Sequence, residues 1–363
     1  MILLFTDIHF GLKLNSELFL DIALKNVKWI EKQIEDNKVK TIIFLGDWFH
    51  QRTSVSVNTL HKSYEALAHL ASKVDKFYMI VGNHDSYYKN STDVNSLQMF
   101  EQIKNLQVVD KITKVSVGAR EFILAPWGFQ QDEYTNLGDG ADAAFGHFEP
   151  NGVKLLNRIT EGFRDDLDFL TNSAPLVFSG HFHMKSEYET KNGKVIFVGS
   201  PSQQNWGDCG DDRGVYILNE NDMSYKFIEN RESPKFKKFL FSKIMEDKKL
   251  PPQEQVEGNF VKVVVDCQYK FETVQKLLAK LTTIGALTVE AEYYYSEKIN
   301  SVINRTDEVT IKTNEDYIKE FVMSDSIEFP EGVDREKLAN LALSIYGKAQ
   351  DEAAFSNSEE EIF

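Results

Sequence analysis

The sequence predicts an α/β fold, and three observations carry that reading. Short apolar runs without polar alternation recur at Ile2–Phe5, Thr41–Leu45, Phe77–Val81, Ala143–Phe145 and Leu176–Ser179. Segments of helical period separate the first three, and every run is followed at once by a compact polar cluster. Non-alternating β-branched and aromatic runs read as parallel strands covered on both faces, because a solvated face would impose a period of two.

Taken in order, the first strand leads into FTDIHFG, with Asp7 and His9. Between Ser16 and Asp36, the residues Ala23, Val27, Ile30 and Ile34 recur at helical spacing, with Ser16 placed to act as N-cap. The second strand leads into GDWFH, with Asp47 and His50. A second helix is expected from about Val57 to Lys73, with Leu60, Tyr64, Leu67 and Leu70 on one face. The third strand leads into GNHD (Asn83, His84, Asp85), the fourth into GHFE (His147) and the fifth into GHFH (His181, His183). Gly46, Gly82, Gly146 and Gly180 stand at the strand-to-loop breaks, where tight turning and close backbone approach favour a residue without Cβ.

Ligands of open α/β sheets gather beyond the carboxyl ends of the strands, so these clusters should converge in space. Six of the eight histidines lie in them; His61 and His69 fall on the second helix and read as surface or packing residues. A single Asp-Xaa-His is commonly structural, and GHFH alone can be a strand end. An Asn-His pair directly after a β-run seldom has a packing rationale. Five such clusters in one order, each behind a strand, point to metal chemistry. Their mixed nitrogen and oxygen donors suit hard-to-borderline divalent ions such as manganese.

Composition narrows the classes. At 363 residues the chain has room for a catalytic core and a smaller domain. Cys209 and Cys267 are the only cysteines and neither lies near a histidine cluster, which argues against a catalytic thiol, a cysteine zinc site or a disulfide framework. The first strand begins at Ile2, leaving no room for a cleavable signal, and no apolar run reaches the roughly 18 residues of a membrane span. A cytoplasmic protein without membrane contact is expected. The net charge of −15 is awkward for a partner such as DNA, whose binding draws on Lys and Arg. Cations in the crevice would soften that conflict, and five acids sit in the last 13 residues.

Past about Asn230 the pattern changes. Arg231–Gly258, with Pro234, Pro251 and Pro252, reads as a connector holding one short strand around Phe239–Ile244. Phe260–Cys267 reads as a strand, Phe271, Val274, Leu278 and Leu281 as a helical face, and Leu287–Tyr295 as another strand, with Tyr293–Tyr295 as sheet packing or a base-stacking surface. Beyond Asn300, Thr313 with Asp316 forms a capping box before Tyr317, Phe321 and Val322; after a break at Glu328–Gly332, Leu338, Leu341 and Ile345 form a second stripe. Helices this short are marginal alone and need a docking surface, either this chain's own core or a partner. From Asp351 the tail is acidic and reads as disordered, ending in Ile362–Phe363 as a candidate peptide anchor.

The order Asp-Xaa-His, Gly-Asp-Xaa-Xaa-His, Gly-Asn-His-Asp, Gly-His, Gly-His-Xaa-His resembles the calcineurin-like metallophosphoesterase superfamily over residues 1 to about 185. Within it, the chain resembles the SbcD-type nuclease subunits of double-strand-break repair nuclease–ATPase complexes. Val198–Leu218 resembles their Gly-Ser-Pro loop, and GHFEPNG is most like the shortened phage recombination endonuclease subunits. Phe10 replaces a common leucine, and the family varies at the position of His50.

The resemblance implies a four-layer β-sandwich flanked by helices at 1–230, a small α+β capping and DNA-presenting domain at 231–300, a helical segment at 301–350 that binds an SbcC-type coiled-coil ATPase, and an acidic tail at 351–363. It implies two divalent ions, Mn²⁺ foremost with Mg²⁺ as the other candidate. Asp7, His9, Asp47 and His183 would hold one ion, and Asp47, Asn83, His147 and His181 the other. It gives His84 a catalytic role in transition-state stabilisation or leaving-group protonation, with Asp85 orienting its ring, and places His50 and Arg52 near phosphate. The implied activity is exonuclease or endonuclease cleavage of DNA by metal-activated hydroxide, in a homodimer, located in the host cytoplasm if phage-encoded. The competing readings are a phosphomonoesterase or protein phosphatase on the same scaffold, and a scaffold without activity. Protein phosphatases of the superfamily carry GDYVDRG-like and GNHE motifs where this chain has GDWFHQR and GNHD, and no ligand is missing as a dead scaffold would predict.

Overall fold

The computed structural model describes residues 1–137, 140–155, 158–160, 166–293, 322–323 and 334–346. The chain divides into two compact units, Met1–Tyr293 and Tyr294–Phe363. In chain order, the main strands begin with β1 (Ile2–Phe5), β2 (Thr41–Phe44), β3 (Lys76–Ile80), β4 (Leu106–Val109), β5 (Thr113–Val117) and β6 (Arg120–Ala125). They continue with β7 (Ala143–Gly146), β8 (Leu176–Ser179), β9 (Ser186–Glu189), β10 (Lys194–Phe197), β11 (Gly214–Leu218) and β12 (Tyr225–Glu229).

These strands form two six-stranded sheets, ordered β12-β11-β1-β2-β3-β4 and β9-β10-β8-β7-β6-β5. In the first, β1 to β4 run parallel, with Leu3 opposite Ile42 and Ile42 opposite Phe77, while β11 and β12 pair antiparallel. In the second, β6, β7, β8 and β10 run parallel and the edge strands β5 and β9 are antiparallel. The apolar runs that read as one kind of strand therefore belong to two sheets, three to the first and two to the second.

The sheets pack face to face through Leu4, Ile43, Ile80, Phe122, Leu124, Phe145, Phe178 and Ile196. The outer face of the first is covered by α1 (Glu17–Asp36) and α2 (Val57–Ser72), through Ala23, Val27, Ile30, Leu67 and Leu70 against Leu3, Phe5, Ile42 and Phe44. The outer face of the second is covered by the segment around α3 (Gln131–Leu137), with Tyr134 and Leu170 buried there. The result is four layers, helix, sheet, sheet, helix, in which both sheets are apolar on both faces. Ser56 caps α2 by accepting the Thr59 N–H at 3.1 Å. Ser16 stands at the N-cap of α1 without a side-chain cap bond; its backbone alone is engaged, the carbonyl by Leu20 N–H and the N–H by the carbonyls of Leu12 and Lys13.

A third, parallel sheet is built from β13 (Phe236–Leu240), β14 (Phe260–Val265) and β15 (Thr288–Tyr293), with α4 (Phe241–Asp247) and α5 (Phe271–Ile284). The expected strand over Phe239–Ile244 is corrected: the strand ends at Leu240 and a helix begins. Its apolar composition suits either element, but Asp266, just past β14, accepts the Ser242 N–H at 2.9 Å and turns the chain into a helix that buries Phe241 and Ile244. A ring stack joins this sheet to α1, with Phe236 on Phe260 at 4.4 Å and Phe260 on Phe19 at 5.5 Å. In the second unit, residues 335–346 are helical, with Leu341 and Ile345 exposed. The expected capping box at Thr313 and Asp316, the break at Glu328–Gly332, Tyr294–Tyr295 and the tail from Asp351 lie outside the described residues. No helix among the described residues is long and apolar enough to cross a membrane.

Candidate metal centre

All five polar clusters leave the carboxyl ends of parallel strands, three from the first sheet and two from the second. Beyond β1 and β2 the two chains stay paired: Asp7 N–H donates to Gly46 O (3.0 Å), His9 N–H to Asp47 O (3.2 Å) and Phe10 N–H to Trp48 O (2.7 Å). Asp7, His9, Asp47 and His181 hold positive φ angles of 54°, 52°, 63° and 80°. A non-glycine residue in that region is held by its surroundings, and such positions concentrate at functional sites. Gly46 and Gly82 leave the space that the site requires. A Cβ on Gly46 would strike the His147 ring and stand 2.9 Å from Gly82 Cα, and one on Gly82 would strike the Asp47 carboxylate.

The donors can be taken in two groups around Asp47, and Asp7 stands near both, since its carboxylate, that of Asp47 and His147 lie within 4.8 Å of one another. In the first, His9 Nε2 lies 3.6 Å from Asp7 Oδ1, 3.8 Å from Asp47 Oδ2 and 3.0 Å from His183 Nε2, while His183 Nε2 lies 3.7 Å from Asp7 Oδ1. In the second, the Asn83 amide lies 2.7 Å from His147 Nε2 and 3.2 Å from His181 Nδ1, and His147 Nε2 lies 3.4 Å from Asp47 Oδ2. Asp7, Asp47, Asn83, His9 and His147 are all buried.

Two features test whether these residues fit cations. Among the described residues, neither oxygen of the buried Asp7 has a hydrogen-bond partner, an expensive condition for a carboxylate unless a cation satisfies it. The Asn83 amide has two possible orientations. With its oxygen toward the imidazoles, its nitrogen faces the Arg52 guanidinium, donor against donor. Turned round, it donates to His147 Nε2, His181 Nδ1 and Asp47 Oδ2, and its oxygen accepts from Arg52 Nη2 at 3.2 Å. Hydrogen bonding alone favours the second orientation, whereas a cation between these atoms favours the first. The residues fit.

The electrostatics agree. Burial, together with His84, holds His9 down at about 3, so its ring is neutral and offers a lone pair. Burial depresses His50 in the same direction. Burial alone would push Asp47 up, but His147, His84 and His9 outweigh it and hold the carboxyl well below the usual carboxylate range. Burial would likewise lower His147, yet the Asp47 charge prevails and leaves it at about 9. The crevice thus demands positive charge between Asp47 and His147, which a cation would meet in place of a proton.

The residues expected to act beside the metals converge on the same place. His84 N–H donates to Asp47 Oδ1 (2.9 Å), its ring Nδ1 meets His50 O (2.6 Å), and its ring stacks on that of His50 at 5.5 Å and 12°. The role expected for Asp85 is corrected. Its Oδ1 accepts from Trp48 and Phe49 N–H and its Oδ2 from Asp47 and Gly82 N–H, at 2.8–3.1 Å, so both oxygens clamp the GDWFH and GNHD loops together. The His50 carbonyl, not Asp85, engages the His84 ring at Nδ1.

Three residues escaped the sequence reading. Glu149 Oε1 lies 3.1 Å from His181 Nε2. A carboxylate two residues after His147 on an extended segment faces the same side as that histidine, a signal visible in GHFE. The Trp127 ring lies against His181 at 5.4 Å, and Gln204 Nε2 donates to Asp7 O at 2.7 Å. Neither of these carries a local sequence signal. Cys209 and Cys267 are free.

The model for calcineurin-like phosphoesterases matches residues 1–185. Among curated proteins, the chain is similar to exonuclease subunit 1 of Enterobacteria phage T4, 29% identical over 230 residues. That match covers 62% of this chain and 66% of the relative, so the chain spans just under two thirds of the relative's length. Among solved structures, a dimetal phosphatase from Danio rerio superposes with a TM-score of 0.39 at 11% identity, covering 63% of this chain and 92% of that one. A likeness that low carries no argument.

Proposed function

The chain belongs to the calcineurin-like phosphoesterase family, and we propose that it is the nuclease subunit of an SbcCD-type complex, a two-metal, Mn²⁺-dependent DNA exonuclease and endonuclease that processes ends for recombination, repair or replication. The observation that carries this reading is the pair of donor groups meeting at Asp47, with His84 hydrogen-bonded to that same carboxylate. The similarity to a phage exonuclease subunit supports DNA as the substrate.

Asp7, His9, Asp47 and His183 would hold one ion, and Asp47, Asn83, His147 and His181 the other. Bound there, two divalent cations would supply Lewis-acid activation of water and charge neutralisation on the phosphate. Asn83 contributes an oxygen donor without adding charge. With His84 Nδ1 donating to the His50 carbonyl, proton exchange falls to Nε2, the nitrogen that would serve the leaving oxygen. Arg52, beside Asn83, is in reach of phosphate.

Residues 1–230 are the catalytic domain in this reading, 231–300 the cap and 301–350 the segment for a coiled-coil ATPase, with a homodimer as the working unit inside the cell. The exposed Leu341 and Ile345 support partner docking, and the net charge of −15 supports a partner that supplies much of the grip on DNA.

The test incubates purified chain with Mn²⁺, Mg²⁺ or chelator on end-labelled duplex DNA and, separately, on p-nitrophenyl phosphate, with His84→Ala in parallel. Metal-dependent DNA degradation that disappears in the variant is expected. Monoester turnover with intact DNA would instead identify a phosphatase.

A further inference from the structure

The imidazoles of the centre are not held alike. His147 Nδ1 meets the Leu45 carbonyl at 2.7 Å, which makes Nδ1 the protonated nitrogen and leaves the Nε2 lone pair toward Asn83 and Asp47. His181 is reversed. Its Nδ1 faces the Asn83 amide at 3.2 Å, and its Nε2 faces Glu149 Oε1 at 3.1 Å. The His181 side chain is 6% exposed and that of Glu149 16%, so little water competes for the contact. An ionised carboxylate can only accept, so Nε2 must carry the proton and the lone pair falls on Nδ1. Trp127 and Phe182, at 5.4 and 4.8 Å from the ring, hold its faces and oppose a flip. Glu149 is itself fixed by its neighbours: Phe148 before it is buried and donates its N–H to Ser179 Oγ at 3.0 Å, and Pro150 follows.

We propose that Glu149 is a positioning residue for the second cation, fixing His181 as an Nδ1 donor. This rests on the two-metal reading of the site. A carboxylate partner strengthens a metal-binding imidazole more than a backbone carbonyl does, and loss of such a partner costs about 10–100-fold in metal affinity. The expected effect is confined to the donor group of Asp47, Asn83, His147 and His181, since none of the contacts described for Glu149 reaches Asp7, His9 or His183.

The experiment measures Mn²⁺ binding by titration calorimetry on the full-length chain, for the wild type, Glu149→Gln and Glu149→Ala. Glutamine keeps the shape and an acceptor oxygen but loses the charge, and so guards against a mere folding defect. Wild type should bind two ions. Glu149→Gln should weaken one of them by about 10-fold and Glu149→Ala by up to about 100-fold, with the other ion unchanged. In parallel, histidine-selective ¹⁵N NMR with Zn²⁺ as a diamagnetic ion should show His181 bound through Nδ1 in the wild type. Without metal, the Nε2-protonated tautomer should dominate in the wild type and in Glu149→Gln and give way to a mixture in Glu149→Ala, a change that a purely steric role for Glu149 would not produce. Two wild-type ions with unchanged affinities in both variants, or a His181 bound through Nε2, would overturn the proposal alone. A wild-type chain that takes up no cation would overturn the two-metal reading and this proposal with it.

Discussion

The loops that leave the first sheet carry both carboxylates of the centre, Asp7 and Asp47, together with His9 and Asn83; those that leave the second carry His147, His181 and His183. The two sets of loops are also stabilised differently. The first-sheet loops are braced by backbone pairing between Asp7–Phe10 and Gly46–Trp48 and by four amides on Asp85. The second-sheet imidazoles are aimed one at a time, by the Leu45 carbonyl and by Glu149. Both carboxylates come from one sheet and three of the four candidate histidine donors from the other, so neither sheet alone completes a donor set. The centre is a product of packing between layers, and its precision depends on the apolar interior that sets their spacing.

The largest break in this comparison comes from Asp47, which belongs to both donor groups. Asp47→Ala should lose both ions, with activity falling well beyond the roughly 10–100-fold cost of losing an outer partner. Calorimetry with Mn²⁺ checks this. One ion retained at wild-type affinity would show that the groups do not share this carboxylate.

Next in size is the interior between the sheets. Phe145 is fully buried, stacked on Phe178 at 5.5 Å and 8°, and edge-on to Phe122 at 5.1 Å. Phe145→Ala should cost about 3–5 kcal/mol in chemical denaturation. Because Phe145 lies two residues before His147, metal affinity should fall as well, at a temperature where the variant remains folded. A destabilised variant with unchanged affinity would mean that the loops, rather than the layer spacing, set the geometry.

Asp85 tests the bracing itself. Asp85→Ala removes the acceptor from four amides, three of them in the GDWFH loop, and each amide left without a partner costs about 1–3 kcal/mol unless water replaces it. A loss of about 2–4 kcal/mol is expected, with both ions weakened although no ligand is changed. Wild-type affinity in this variant would return Asp85 to the role first expected of it, beside His84.

How much of this was legible follows from which signals are local. Strand and polar cluster adjoin in all five places, with a glycine at the break in four, so the candidate donors stood out locally, and the family resemblance assigned them to ions. Their division between two sheets could not, because a run buried on both faces looks the same in either sheet, and β11 reaches β1 from more than 200 residues away. The clamp at Asp85 was misread because adjacency in GNHD suggests a side-chain partner, whereas the oxygens turn to amides at Asp47–Phe49. Phe239–Ile244 reads as one strand because composition cannot see Asp266, just past the neighbouring strand. Glu149 carries a local signal, two residues after His147, but a lone acid beside a histidine does not by itself reveal which imidazole it meets.

The smallest effect, and the sharpest test of separability, lies at Gln204. Its Nε2 donates to the carbonyl of Asp7, a residue in a left-handed conformation, while its own N–H is held by Asp208 Oδ2 at 2.7 Å and Asp208 in turn pairs with Arg213 at 2.8 Å. Gln204→Leu keeps the bulk and deletes one hydrogen bond, worth about 1 kcal/mol. It also removes Gln204 Oε1, a buried acceptor with no hydrogen-bond partner among the described residues, so the net change in stability should sit at or below that figure. A loss of that size confined to the pose of Asp7 would weaken the first ion by about fivefold. In the two-metal reading the second should change less, because Asp7, although its carboxylate stands within 4.8 Å of the His147 donor, is assigned to the first ion, and Asp47 is held by His84 N–H. Two-site Mn²⁺ titration of Gln204→Leu beside Glu149→Gln then gives opposite patterns, one ion weakened in each. Equal weakening of both ions in either variant would mean that the crevice responds as a single unit, and the contrast between the two sheets would hold for their composition but not for their energetics.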